Sequence, residues 1–146
     1  MHKKENLIDI TNYRIKLKRV DFSDIEVSDE EFQRIEKENI DILSKSEDKY
    51  EIADFSNKDI EIYFTRKKYF EPKFIFNLEV TFSLFYKIKK GDKDITLSNL
   101  KQELEERKKE ILMPVTSKAS LLIGNITNMD TESPPIITYP YLIDNE

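Results

Sequence analysis

The 146-residue sequence contains no cysteine, which removes disulfide frameworks, thiolate zinc sites, iron–sulfur ligation and cysteine nucleophiles together and gives no sign of an oxidising compartment. Its one histidine is His2, in a terminus expected to fray, so chemistry that needs an internal imidazole goes too, serine–histidine hydrolysis and histidine-held metals included. The composition thus argues against an enzyme. No apolar run approaches the roughly 20 residues of a membrane helix, and Met1-His2-Lys3-Lys4-Glu5 leads into no signal-peptide core. The expectation is a cytoplasmic chain without membrane insertion. Basic residues, 24 against 29 acidic ones, are too few for a protein whose affinity comes from neutralising phosphates, and nucleic acid is disfavoured as the main partner.

What is present fits one soluble domain spanning residues 1–146. Apolar residues make up 38% and charged residues 36%, so the core is modest and the surface densely charged, while 11% aromatics argue against disorder. Residues 1–9 read as a flexible N-terminus. From Ile10 to Phe22 apolar and polar residues alternate, Tyr13, Ile15 and Leu17 on one parity and Val20 and Phe22 on the other. That change predicts a strand with a bulge around Lys18–Arg19.

Between Asp21 and Asp48 acidic residues dominate. Phe32, Ile35, Asn39 and Leu43 fit a weak helical stripe, which leaves a short helix or an irregular loop open. Tyr50–Phe55 and Asp59–Phe70 read as strands around a Ser56-Asn57-Lys58 turn, with Ile60, Ile62 and Phe64 inward. Eight consecutive even positions from Phe74 to Ile88 are apolar, the strongest period-two signal in the chain. Because the alternate positions are polar, this is an antiparallel strand with one wet face. Lys90-Gly91-Asp92 is a turn. Leu97 to Leu112 follows helical spacing with Thr96 or Ser98 as cap; Pro114 breaks it and opens a second helix to about Asn128, whose apolar stripe is Val115, Ala119, Leu122, Ile123, Ile126 and Met129. Residues 133–146 read as a proline-containing return strand or strap, confined to an edge.

No catalytic, cofactor-binding or metal-binding residue stands out. The acidic group Asp21, Asp24, Glu26, Asp29, Glu30 and Glu31 lacks the spacing and glycine of a calcium loop and reads as a solvated segment. Asn125-Ile126-Thr127 is a formal glycosylation sequon on a predicted buried helix face and is set aside. Arg14, Lys16, Lys18, Arg19, Arg66, Lys67, Lys68, Lys87, Lys89 and Lys90 form a basic stripe if they share a face, and ordinary charged exposure if they do not. Aromatics crowd between Phe64 and Tyr86. They read as core and hairpin, or else line a groove for extended polypeptide, with Phe64, Tyr69, Phe70, Phe74 and Phe85 as candidates.

Three segments carry a resemblance. Ile15-Lys16-Leu17-Lys18-Arg19-Val20-Asp21-Phe22-Ser23 resembles the first strand of SecB, the protein-export chaperone. Glu110-Ile111-Leu112-Met113-Pro114-Val115-Thr116-Ser117-Lys118-Ala119, followed by Pro134-Pro135-Ile136-Ile137-Thr138-Tyr139-Pro140-Tyr141-Leu142, is similar to that family's helix junction and return segment. The resemblance implies an α+β fold, a four-stranded antiparallel Greek-key sheet with two helices packed on one face. It further implies a homo-dimer or homo-tetramer built through the first strand and the 97–112 helix. Its partners would be unfolded or extended polypeptides, held for export or, in some relatives, one dedicated antitoxin. The family's acidic docking positions for the SecA motor fall on Arg19 and Ser23, and the chain ends at Glu146 without the family's further helix and tail. Client holding is therefore better supported than delivery to SecA. The rival readings are a module for a single partner and a carboxylate-based enzyme.

Overall fold

The structure, a computed structural model, describes residues 6–72, 75–89, 94–129 and 135–143. Four strands, β1 (Ile8–Ile25), β2 (Leu43–Phe55), β3 (Asp59–Glu71) and β4 (Ile75–Ile88), form one antiparallel sheet in the order β1-β4-β3-β2. Three consecutive strands pair as hairpins and β1 returns beside β4, which is a Greek key. The expected bulge is in place: Leu17 pairs with Phe82 and Arg19 with Thr81, leaving Lys18 as the extra residue. The extra residue keeps Tyr13, Ile15, Leu17, Val20 and Phe22 on one face despite their change of parity.

Alternation along β3 and β4 divides the sheet into two unlike faces. Even positions of β4 from Phe76 to Ile88 and of β3 from Ile60 to Phe70 are all buried. Toward them pack α2 (Leu97–Glu106) and α3 (Lys108–Thr127), through Leu100, Leu104, Ile111, Leu112, Val115, Ala119 and Ile123. Thr96 is the α2 cap, its hydroxyl accepting the Asn99 N–H at 3.1 Å.

The acidic segment takes the first of its two expected forms, a short helix: α1 (Asp29–Lys37) forms behind Ser28, whose hydroxyl accepts the Glu31 N–H, with three acids in the first turn and Arg34 pairing with Glu31 and Glu38. Several expectations are corrected. The helix stops short of Leu43, which opens a β2 seven residues longer at its start than the sequence suggested. The helix break falls at Arg107, not at Pro114. Arg107 leaves helical geometry while its guanidinium ties Glu103, Glu110 and the Ile8 carbonyl together, whereas Pro114 sits inside α3, where the carbonyl it leaves unpaired belongs to the exposed Glu110. Met129, placed on the apolar stripe, is exposed, and Thr116 and Thr127 are buried instead.

The N-terminus is fixed from Leu7 onward. Leu7 and Ile8 are fully buried, and both their N–H groups donate to the Glu103 carboxylate, Ile8 at 2.7 Å. The return segment is a strap, not a strand. Residues 135–143 make no ladder, since Pro135 and Pro140 lack donors, and they are fastened by side chains: Thr116 and Ser120 of α3 donate to the Pro140 and Thr138 carbonyls, each at 2.8 Å, and Thr127 accepts the Ile136 N–H at 2.7 Å. Among the described residues no helix is long and apolar enough to cross a membrane.

Candidate polypeptide-binding surfaces

The helix-side face is built of rungs crossing all four strands. Nearest the helices lie the rungs Ile15–Leu84–Ile62–Ile52 and Leu17–Phe82–Phe64–Tyr50, followed by Val20–Val80–Arg66–Asp48 and Phe22–Leu78–Lys68–Ser46. Beyond these, Asp24 meets Phe76 and Phe70 meets Ser44. Core chemistry therefore gives way to charge halfway along the sheet.

Arg66 is completely buried and fully satisfied. Its Nε and Nη2 donate to the two Asp48 oxygens at 2.7 and 2.8 Å, Nη1 donates to the Thr138 hydroxyl at 3.0 Å and to the Tyr139 carbonyl, and Nη2 also reaches the Tyr141 carbonyl at 2.9 Å. Asp48 accepts the Ile143 N–H at 2.8 Å as well. The fork of five donors is the residue type that can hold a carboxylate and carbonyls of a passing chain together. This pair is what holds the strap to the sheet.

The ten basic residues do not share one face, although Arg14, Lys16, Lys18, Arg19, Lys67 and Lys87 lie together on the face away from the helices, with Asp21, Glu61 and Glu79 among them. Alternation sends Arg66 and Lys68 to the helix side and Lys67 to the other, where Lys67 lies over Tyr69 at 5.0 Å and Lys18 over Tyr63 at 5.4 Å. Arg19 pairs with Asp21 and Lys87 with Asp59. Lys90 lies outside the described residues. Asp24, Glu26, Asp29 and Glu30 are exposed and Glu31 is half-buried, and among the described residues no three acidic or imidazole groups converge as a metal site would require.

The five aromatic candidates are scattered rather than gathered. Phe64 is fully buried beneath the helices, away from any open groove. Phe70 is buried at the far end of the helix-side face and meets Phe76 edge-on, centroids 5.3 Å apart; Phe76 in turn stacks on Phe22 at 5.3 Å. Tyr69 lies on the opposite face. Phe85 also lies there, under the Arg14 guanidinium at 4.5 Å, in a cleft of about 500 Å³ shared with Tyr13, Phe55 and Tyr86. Phe74 lies outside the described residues.

Sequence reasoning missed the surface with the most exposed apolar area on the sheet. Tyr13, Leu17, Val20 and Phe22 of β1 face the helix side but lie at the sheet's edge, and each is 40% to 54% exposed. Their alternation was visible, but the extent of helix cover was not. Tyr13 touches Tyr86 edge-on at 6.4 Å, so the row runs from that ring to the Phe22–Phe76–Phe70 cluster. A second cleft of about 590 Å³ lies between the edge strand β2 and α2, lined by Tyr50, Ile52, Leu97 and Leu104 with Lys101 and Glu105. Burial raises the Tyr86 hydroxyl pKa to about 12, and this hydroxyl donates to the Ile111 carbonyl of α3.

No family model matches the chain, and no curated protein matches it in sequence. Among solved structures, a SecB-like chaperone from Mycobacterium tuberculosis, in complex with a peptide from an antitoxin, superposes with a TM-score of 0.62 over 91% of this chain and 88% of that one, at 8% identity. The fold is SecB-like. A protein of unknown function from Streptococcus agalactiae aligns over 88% of this chain and 97% of that chain, at 13% identity and a TM-score of 0.48. The SecB-like sheet order agrees with the Greek key read from the strands, while α1 is an addition to the two expected helices.

Proposed function

We propose that the protein is a non-enzymatic, cytoplasmic polypeptide-binding chaperone that holds extended apolar segments on the helix-side row of β1 and its aromatic end. The observation that carries this reading is the exposed row Tyr13, Leu17, Val20 and Phe22, continued by Phe76 and Phe70 on one face of a SecB-like sheet. Aromatic and aliphatic anchors of this kind supply affinity without demanding one partner sequence. The chaperone of the same fold that was solved with an antitoxin peptide supports polypeptide as the ligand class. Phe70 belongs to this surface, while Phe85 and Tyr69 belong to the opposite face as a secondary contact. Delivery to the SecA motor is not part of the reading, because Arg19 is spent on Asp21 rather than offering an acidic dock.

The test is suppression of light scattering by a refolding, aggregation-prone polypeptide, with mass-matched albumin as control. Suppression near stoichiometric amounts supports a general holding chaperone. No suppression, together with a pull-down giving one dominant protein, supports the second reading, a module for a single dedicated partner such as an antitoxin. A homo-dimer or homo-tetramer through β1 is also proposed, because β1 is an edge strand whose outer main-chain groups have no strand beside them. A monomer mass at micromolar concentration would overturn it.

A further inference from the structure

Two cations occupy adjacent inward positions of β3, and they are treated oppositely. Arg66 has Asp48 across the strand and the strap's carbonyls above it. Lys68, on the next rung, has only Ser46 across the strand, its Nζ 3.4 Å from the hydroxyl, and among the described residues no carboxylate within ion-pair reach. It is nonetheless only 7% exposed. Burial without a counter-charge is unfavourable for an ammonium, and desolvation depresses its pKa here. Serine is too short and too neutral to offset that. The Nζ lies 5.9 Å from the centre of the Phe70 ring, which leads through Phe76 to the half-exposed Phe22, on the same rung as Lys68.

We infer that Lys68 is an anion-binding point within the aromatic end of the client surface, and that it takes the acidic side chain of a bound extended segment. This rests on the polypeptide-binding reading and gives that ligand a chemistry. Alternate side chains of an extended chain stand roughly 6.6 Å apart on one face. That spacing is close to the 5.9 Å between the Lys68 Nζ and the Phe70 ring. The recognised pattern is therefore an aromatic residue and an acid two positions apart, the ring on the Phe22–Phe76–Phe70 cluster and the carboxylate on Lys68.

Two measurements on the full chain test this. In the first, N-acetyl-phenylalanine and its amide are titrated while the ¹³Cε–¹Hε signal of Lys68 is followed by NMR. The acid is expected to shift the signal and the amide to leave it in place; no shift with the acid, or equal shifts with both, overturns the proposal. In the second, fluorescein-labelled, C-terminally amidated apolar peptides carrying Phe-x-Glu or Phe-x-Gln are compared by anisotropy. The Glu peptide is expected to bind about tenfold more tightly, in line with a charge-assisted hydrogen bond. Lys68→Met should erase the preference, and Lys68→Arg should keep it. Equal binding of the two peptides by the unaltered protein overturns the Lys68 site and leaves polypeptide binding standing. A Lys68 shift with the acid, without binding of either peptide, keeps the site and overturns the polypeptide reading.

Discussion

Asp48→Ala removes a carboxylate that takes three hydrogen bonds, two from Arg66 and one from the Ile143 N–H. Both side chains of the pair are sealed from solvent, so the variant leaves a guanidinium buried without its counter-ion. Breaking a buried pair from one side costs about 3–5 kcal/mol. That is a large share of the roughly 5–15 kcal/mol by which a domain is stable. Arg66→Met alone should cost a similar amount, because it strands the carboxylate. The combined variant, Asp48→Leu with Arg66→Met, removes both charges and loses the strap bonds to the Thr138 hydroxyl, the Tyr139 and Tyr141 carbonyls and the Ile143 N–H, about 1 kcal/mol each. It should therefore be no worse than either single variant. Urea midpoints at unchanged slope give the free energies, and amide exchange at Leu142 and Ile143 reports strap release. A loss below about 1 kcal/mol for Asp48→Ala, or a combined loss equal to the sum of the single ones, would refute the clamp.

Four further outcomes are expected. Glu103→Gln weakens the two charge-assisted bonds to the Leu7 and Ile8 N–H groups, so stability should fall by about 2 kcal/mol in urea unfolding, with faster exchange at those two amides. Leu17→Ser with Phe22→Ser alters side chains already about half exposed, so the melting temperature should hold while protection of an aggregating client is lost; retained protection would remove the β1 row from the site. Phe64→Ala should cost about 3–5 kcal/mol by cavity formation, seen in chemical denaturation as a fault of the core rather than of client affinity. The Tyr86 hydroxyl has a folded-state pKa of about 12, above its unfolded value of 10.0, so its contribution is complete below pH 10 and is lost as pH rises toward 12. Tyr86→Phe should accordingly flatten the stability profile across that window.

The parts of the fold written in side-chain period were legible. The β4 alternation, the inward set Ile60, Ile62 and Phe64, and the bulge at Lys18 are local consequences of which side chains share a face. The same parity carried on through Arg66 and Lys68, but their charge made them look like surface residues. The partner that reverses this, Asp48, is 18 positions away, and the strap carbonyls are more than 70, distances at which a single sequence holds no pairing signal. β2 was half missed because its inward residues Ser44, Ser46 and Asp48 are polar and give no apolar rhythm. Phe64 was placed in a groove because of its aromatic ring, although its own position in the Ile60–Ile62–Phe64 series already pointed inward. Arg107, not Pro114, divides the helices because its side chain answers to Glu103, Glu110 and Ile8, a tertiary tie with no local mark.

The Arg66 clamp bears on how the chain is made. Arg66 leaves the ribosome 77 residues before Ile143, which at synthesis rates of 5–20 residues per second is a delay of roughly 4 to 15 s. During that time the middle of the sheet waits for its cover. A leucine at this rung would present a bare apolar patch to every other nascent chain, whereas a guanidinium paired with Asp48 stays hydrated until the strap arrives. The polar closure lets a protein with an unfinished surface wait in water without becoming a client itself.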